Sequence, residues 1–280
     1  MRSGGKVHVA LLTPAGPAGN LDETALAGHV SWLAEAGVDA LFVAGTTGEG
    51  PLLEDADVAR AVTCAVAAAG DGVQVLAQVG RPATGATIQL ARMAVDAGAS
   101  AVAAVVPYFF ALDDDQLLRH FAAVNEALSP VPLIVYNIPA RTGNDITAGL
   151  LDRLFGHGVA GLKDSTKSFT RHLEYLEVAA RHDGRRVYMG SDSLALDALQ
   201  AGASGVTSAV ANVMPEVVVG LRDAVAAGDL EKARKLQGEI DALRAETQRE
   251  RPLLVLKRRL ARRLEEAGRG YPSAIRLPLG

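Results

Sequence analysis

One alternation runs the length of the sequence: a short apolar run, then a longer amphipathic or alanine-rich run, then another short apolar run. The short runs fall at 7–13 (VHVALLT), 40–45 (ALFVAG), 73–79 (VQVLAQV), 101–107 (AVAAVVP), 131–136 (VPLIVY), 159–163 (VAGLK), 186–190 (RVYMG) and 205–210 (GVTSAV). Each is continuously apolar rather than strictly alternating, as expected of parallel strands covered on both faces. Between them, residues 22–36 place Leu26, Val30 and Leu33 on one helical face, and 54–69, 84–97, 113–128 and 169–182 read the same way. Asp22, Thr84 and Asp113 stand where N-caps belong. Gly37, Gly70, Gly98 and Gly202 stand where a left-handed residue closes a helix.

Eight strands, a helix after each of the first seven and more helix after the eighth predict an α/β fold, a (β/α)8 TIM barrel. A doubly wound open sheet is the rival solution. Three further helical patterns, near 215–227, 229–247 and 252–267, divide the chain into a barrel at 1–213 and a C-terminal three-helix extension at 214–280. The charged side of that tail (Arg234, Lys235, Arg244, Lys257, Arg258, Arg262, Arg263) reads as a solvated face or a subunit contact.

Several function classes are disfavoured at once. A net charge of −4 leaves no electrostatic footprint for nucleic acid. The single cysteine, Cys64, excludes an intramolecular disulfide and any multi-cysteine metal site, and reads as a small buried thiol in a helix. The apolar run after Arg2 and Lys6 ends at Pro14, too short for a signal segment or a membrane span, so a cytoplasmic protein is expected. The six histidines show no paired ligand spacing, so no metal is expected. No Walker or dinucleotide fingerprint occurs, so no nucleotide cofactor is expected.

In a TIM barrel the chemistry sits at the C-terminal ends of the strands. Those ends carry Gly45-Thr46-Thr47-Gly48-Glu49, Pro107-Tyr108-Phe109, Tyr136-Asn137, Lys163-Asp164 and Gly190-Ser191-Asp192. Lysine is scarce, six residues against 22 arginines, and only Lys163 ends an apolar strand. An ammonium there loses hydration, which lowers its pKa and makes the neutral amine a nucleophile towards a ketone; a structural pairing with Asp164 is the alternative. Tyr136, one strand away, can shuttle protons with Thr47 as relay, or can be a buried tyrosine bonded to a backbone carbonyl. The glycines around Thr46-Thr47 suit a carboxylate nest, or a plain strand-to-helix turn. Arg141, in a Pro/Gly-bounded loop, is a second carboxylate ligand or a surface arginine.

Together, Gly45-Thr46-Thr47-Gly48-Glu49, the run Tyr136 to Gly143 (YNIPARTG) and Gly161-Leu162-Lys163-Asp164 resemble the signatures of the dihydrodipicolinate synthase/N-acetylneuraminate lyase family. Order and spacing fit over nearly the whole chain, down to Arg276-Leu277-Pro278-Leu279. The resemblance implies a class I aldolase mechanism without metal or organic cofactor. Lys163 would form an imine with pyruvate, Tyr136 would shuttle protons, and Thr46 and Thr47 would hold the pyruvate carboxylate. Gly190 and Thr207 would add further substrate contacts, a small aldehyde would be the second substrate, and the assembly would be a homotetramer built from tight dimers.

Arg141 resembles the synthase arginine that grips aspartate semialdehyde. Against this, Phe109 aligns with a relay tyrosine that a neighbouring subunit donates, and a phenyl ring carries no proton. Tyr108 beside it is expected to point the other way. Gly50-Pro51 and Arg81-Pro82 replace polar residues of lysine-inhibited synthases, so lysine feedback is not expected. Gly190-Ser191-Asp192 and Gly270-Tyr271-Pro272 look more like the family's sugar-acid aldolases. Three readings follow: condensation of pyruvate with aspartate semialdehyde, pyruvate release from a 2-keto-3-deoxy acid, and a keto-acid-binding paralogue without turnover.

Overall fold

Strands without a polar face are stable only where both faces are covered. The computed structural model, which describes residues 5–16 and 18–279, meets that condition by closing the sheet. The strands are β1 (Lys6–Ala10), β2 (Ala40–Val43), β3 (Gln74–Gln78), β4 (Ala101–Val105), β5 (Leu133–Asn137), β6 (Gly161–Asp164), β7 (Arg186–Met189) and β8 (Gly205–Ser208). They pair in parallel in chain order, and β8 returns to β1. The fold is therefore the (β/α)8 barrel, and the open sheet is excluded.

Around it run α1 (Glu23–Glu35), α2 (Asp55–Ala69), α3 (Thr84–Asp96), α4 (Asp114–Leu128), α5 (Pro139–Thr142), α6 (Ala148–Gly156), α7 (Phe169–Ala179) and α8 (Ala195–Ala201). After β8, α9 (Pro215–Ala227) packs on α8 and β1, and α10 (Leu230–Arg249) and α11 (Pro252–Glu266) follow it. Among the described residues no helix is long and apolar enough to cross a membrane.

Alternate strand residues feed two apolar clusters. Val9, Leu41, Val135 and Leu162 belong to the layer between strands and helices, whereas Phe42, Leu76, Ile134, Tyr136 and Tyr188 fill the barrel. Cys64 lies partly buried in α2.

Local chemistry explains most helix ends. Asp22 accepts from the Ala25 N–H, and Asp113 forms a complete capping box with Gln116. Thr84 does not cap. Ala83 holds that position, and the Thr84 hydroxyl, already inside the first turn, meets His120 Nδ1 on α4 at 2.9 Å. Gly37, Gly98 and Gly202 have φ of 81–101° as helix-closing residues, but Gly70 combines φ 67° with ψ −174°, outside the αL region. The helices α6 and α8, nine and seven residues long, offer too few turns for periodicity to delimit them in the sequence. Residues 139–142, read from the sequence as irregular, form a helical turn behind Pro139.

The tail departs from its expected solvated face most fully at one residue, and Arg244 is half-buried as well. Lys257 is fully buried on the stripe that continues through Leu260 and Leu264, where Nζ pairs with Glu49 and donates to the Ala274 carbonyl at 2.8 Å. Its neighbour Arg263 behaves as expected of a surface arginine. It bonds Glu216 at 3.0 Å and holds its guanidinium 5.6 Å from the ring centroid of Trp32 on α1, the chain's single tryptophan.

Candidate active site

The strand register puts Lys163 of β6 beside Tyr136 of β5 and Tyr188 of β7. Its side chain enters the barrel and is only 4% exposed. Nζ lies 3.8 Å from the ring centroid of Phe42 and 3.9 Å from that of Tyr136. Burial lowers its pKa from 10.5 to about 7, with the Asp192 carboxylate opposing the shift. A substantial neutral fraction is thus present at neutral pH. The alternative pairing with Asp164 does not form, because consecutive strand residues face opposite sides. Asp164 points outward, where Oδ2 meets His172 Nδ1 at 3.0 Å and Oδ1 accepts from the Thr166 amide and hydroxyl.

Tyr136 has a hydroxyl partner rather than a backbone carbonyl, and that partner is Thr46, not Thr47 (Oη to Oγ1 3.1 Å). The cause is the turn after β2. The chain leaves the strand at Ala44 with a left-handed φ of 56°, earlier than the apolar run suggests. It then doubles back so tightly that a Cβ on Gly50 would overlap the Ala44 carbonyl. Burial raises the Tyr136 pKa, with bonds from Thr46 and Ser165 opposing, so the group is a protonated phenol at neutral pH.

Two adjoining cavities open above this pair. The larger, about 630 Å³, is lined by Thr46, Thr47, Arg141, Asp192, Arg244 and Arg251 among others; the smaller, about 330 Å³, by Thr46, Tyr108, Tyr136, Ile138 and Arg141 among others. Lys163 lines neither: its amine lies beneath Tyr136, at the ring distance given above. Arg141, itself exposed, lines both cavities. Tyr108 also faces inward, contrary to the expectation that it would point away. Phe109 instead takes φ 82° and is 88% exposed, its ring edge-on to Phe110 at 5.1 Å.

Gly190 sits against the lysine. A Cβ there would overlap Ser165 Oγ and come within 3.3 Å of Lys163 Cε. Thr207 is buried in β8 opposite His8 and lines neither cavity. Phe42 and Ser165 were missed by the sequence reasoning. Their only signals were a large aromatic on an inward position of β2 and a hydroxyl two residues after Lys163.

The Dihydrodipicolinate synthetase family matches residues 4–280. A 4-hydroxy-tetrahydrodipicolinate synthase of Acidiphilium cryptum is 38% identical over 85% of this chain and 82% of its own. A 2-dehydro-3-deoxy-D-gluconate/2-dehydro-3-deoxy-phosphogluconate aldolase of Thermoproteus tenax is 38% identical over 80% and 71%. Among solved structures, YagE of E. coli K12, a prophage protein of the dihydrodipicolinic acid synthase family in complex with pyruvate, superposes with a TM-score of 0.91 at 27% identity, covering 98% of this chain and 92% of that one. The closed barrel and these similarities agree, and the chain belongs to the dihydrodipicolinate synthetase family of lyases and aldolases.

Proposed function

We propose that the chain is a class I, pyruvate-dependent aldolase whose imine forms on Lys163. The observation that carries this reading is the buried amine, with a pKa of about 7, lying 3.9 Å from the ring of a phenol that is itself bonded to Thr46. The neutral amine adds to the ketone carbon of pyruvate. Tyr136 delivers a proton to the carbinolamine oxygen, which leaves as water, and Thr46 relays the replacement proton. Loss of a methyl proton gives the enamine, whose carbon attacks an aldehyde, and hydrolysis of the product imine returns the free amine. Cleavage runs the same steps backward. Thr47, in the larger cavity, is suited to the pyruvate carboxylate. The test is borohydride reduction with pyruvate, followed by intact mass and peptide mapping. A stable adduct on Lys163 is expected. An unlabelled protein would leave a keto-acid-binding role as the surviving alternative.

For the second reactant, the cationic residues Arg141, Arg244 and Arg251 around one cavity favour an aldehyde carrying an acid group, as in the condensation of pyruvate with aspartate semialdehyde. Arg141→Ala is expected to raise KM for such an aldehyde by about 10–100-fold and shift pyruvate labelling by less than about twofold. Equal losses in both assays would give Arg141 a different role. One observation favours the sugar-acid reading: the Asp192 carboxylate lines the same cavity and can accept hydrogen bonds from substrate hydroxyls. Parallel rates with aspartate semialdehyde and with 2-keto-3-deoxy acids separate the two.

The inward Tyr108 supplies a second phenol where Phe109 has none. Tyr108→Phe should lower kcat about tenfold or more, whereas Phe109→Tyr should change it by less than about threefold. The opposite ranking would place the relay at position 109. The exposed Phe109–Phe110 pair is, on this reading, covered by a second copy within a homotetramer.

A further inference from the structure

A buried ion cluster lies beside the chemistry, and its Glu49 borders the smaller cavity. Glu49 ends the turn that carries Thr46 and Thr47, and its carboxylate is out of contact with water. Oε1 pairs with Lys257 of α11 and lies 3.5 Å from Arg276 Nη1, while Oε2 accepts the Arg276 backbone N–H at 2.8 Å. Lys257 also donates to Ala274 O at 2.8 Å. The Arg276 guanidinium goes to the carbonyls of Gly19, Thr13 and Pro14 at 3.0–3.2 Å. Residues 274–276 are thereby tied to the β1–α1 loop, the threonine turn and α11 at once. Burying such charges costs desolvation that an apolar cluster would avoid, so the cluster is better suited to fixing position than to adding stability.

What is being positioned lies on either side of Arg276. Ile275, Pro278 and Leu279 line the larger cavity with Thr46 and Thr47, and Leu279 lines the smaller one too. The cavity thus has an apolar wall from this segment in addition to its arginines.

We propose that residues 274–279 form the wall that selects the second reactant by length, a short aldehyde bearing an acid group, and that Glu49 is the positioning residue that fixes this wall against the threonine turn. The inference rests on the aldolase reading, in which pyruvate is held at Lys163. The wall acts on the acceptor alone.

Ile275→Ala and Leu279→Ala shorten the wall. Pyruvate–borohydride labelling is measured first, on wild type and both variants, and then initial rates with carboxylated aldehydes of increasing chain length. The pyruvate concentration for half labelling should move less than about twofold, while the kcat/KM preference for longer over shorter aldehydes rises about tenfold. Normal labelling with an unchanged length preference in both variants overturns the wall and leaves the aldolase reading intact. Absence of labelling in wild type overturns that reading and the inference with it. Glu49→Gln offers one acceptor oxygen where two are used, and should speed hydrogen exchange at the Arg276 amide about tenfold or more and raise the aldehyde KM. Glu49→Gln/Lys257→Met, which leaves no unpaired lysine, repeats the measurement should the single variant not fold. Unchanged exchange at Arg276 in the folded variant overturns the role of Glu49.

Discussion

Lys163→Met is expected to abolish labelling by pyruvate and borohydride, to lower turnover by on the order of 10⁴ or more, and to make the protein more stable. The third effect follows from the same burial as the first. Lys163 titrates at about 7 in the folded protein and at 10.5 when exposed. Between those values the unfolded chain holds a proton that the native state does not, so stability rises with pH across that window. Below about pH 7 both states are protonated, and the cost of the buried charge is present in full. Removing the amine at pH 7 should therefore stabilise by on the order of 1–4 kcal/mol. Thermal unfolding of wild type and variant at pH 6 and pH 10 checks this: the variant's advantage should shrink at the higher pH. An advantage that is the same at both values would mean that burial of charge is not what wild type bears. The rate of wild-type labelling should rise with pH through a midpoint near 7, since only the neutral amine attacks.

Tyr136→Phe comes next in size. The ring stays near Lys163 Nζ, so the amine keeps its apolar surroundings, but the hydroxyl that meets Thr46 at 3.1 Å is gone. A fall in kcat of about 10²–10⁴ is expected, with labelling slowed yet still reaching wild-type extent at long times. Thr46→Val, which spares the phenol and removes its partner, should cost about tenfold. Burial keeps Tyr136 protonated across neutral pH, so the midpoint near 7 belongs to Lys163 and should survive in Tyr136→Phe. A kcat within about threefold of wild type would assign proton transfer to another group, with Ser165 the first to examine.

The barrel was legible because its signal is coarse: eight apolar runs too short for helices, separated by stretches long enough to cross back. Lys163 was legible for a related reason, since a charge at the end of such a run has few ways to be accommodated. What stayed hidden depends on where the backbone turns. Thr46 and Thr47 are chemically alike and adjacent, and the course of a turn with left-handed Ala44 and Glu49 sets which hydroxyl meets Tyr136. Tyr108 was assigned to the wrong side because strand alternation was carried past Val105, where the strand ends and a φ of 82° at Phe109 redirects the chain. Lys257 looked like part of a basic surface because its partner, Glu49, is 208 residues away. Pairings over such separations leave no trace in local composition.

The arrangement of Trp32 and Arg263 gives the molecule a built-in optical reporter. The only indole in the chain sits on the first barrel helix, with the guanidinium of a tail helix close to its ring. A cation near the indole shifts its emission, and that cation departs when α11 departs. Tryptophan fluorescence therefore follows the seating of the tail on α1, while circular dichroism follows the helices of the whole molecule. Two denaturation curves that coincide describe one cooperative unit. A fluorescence change that comes first gives the free energy with which the tail is held to the barrel.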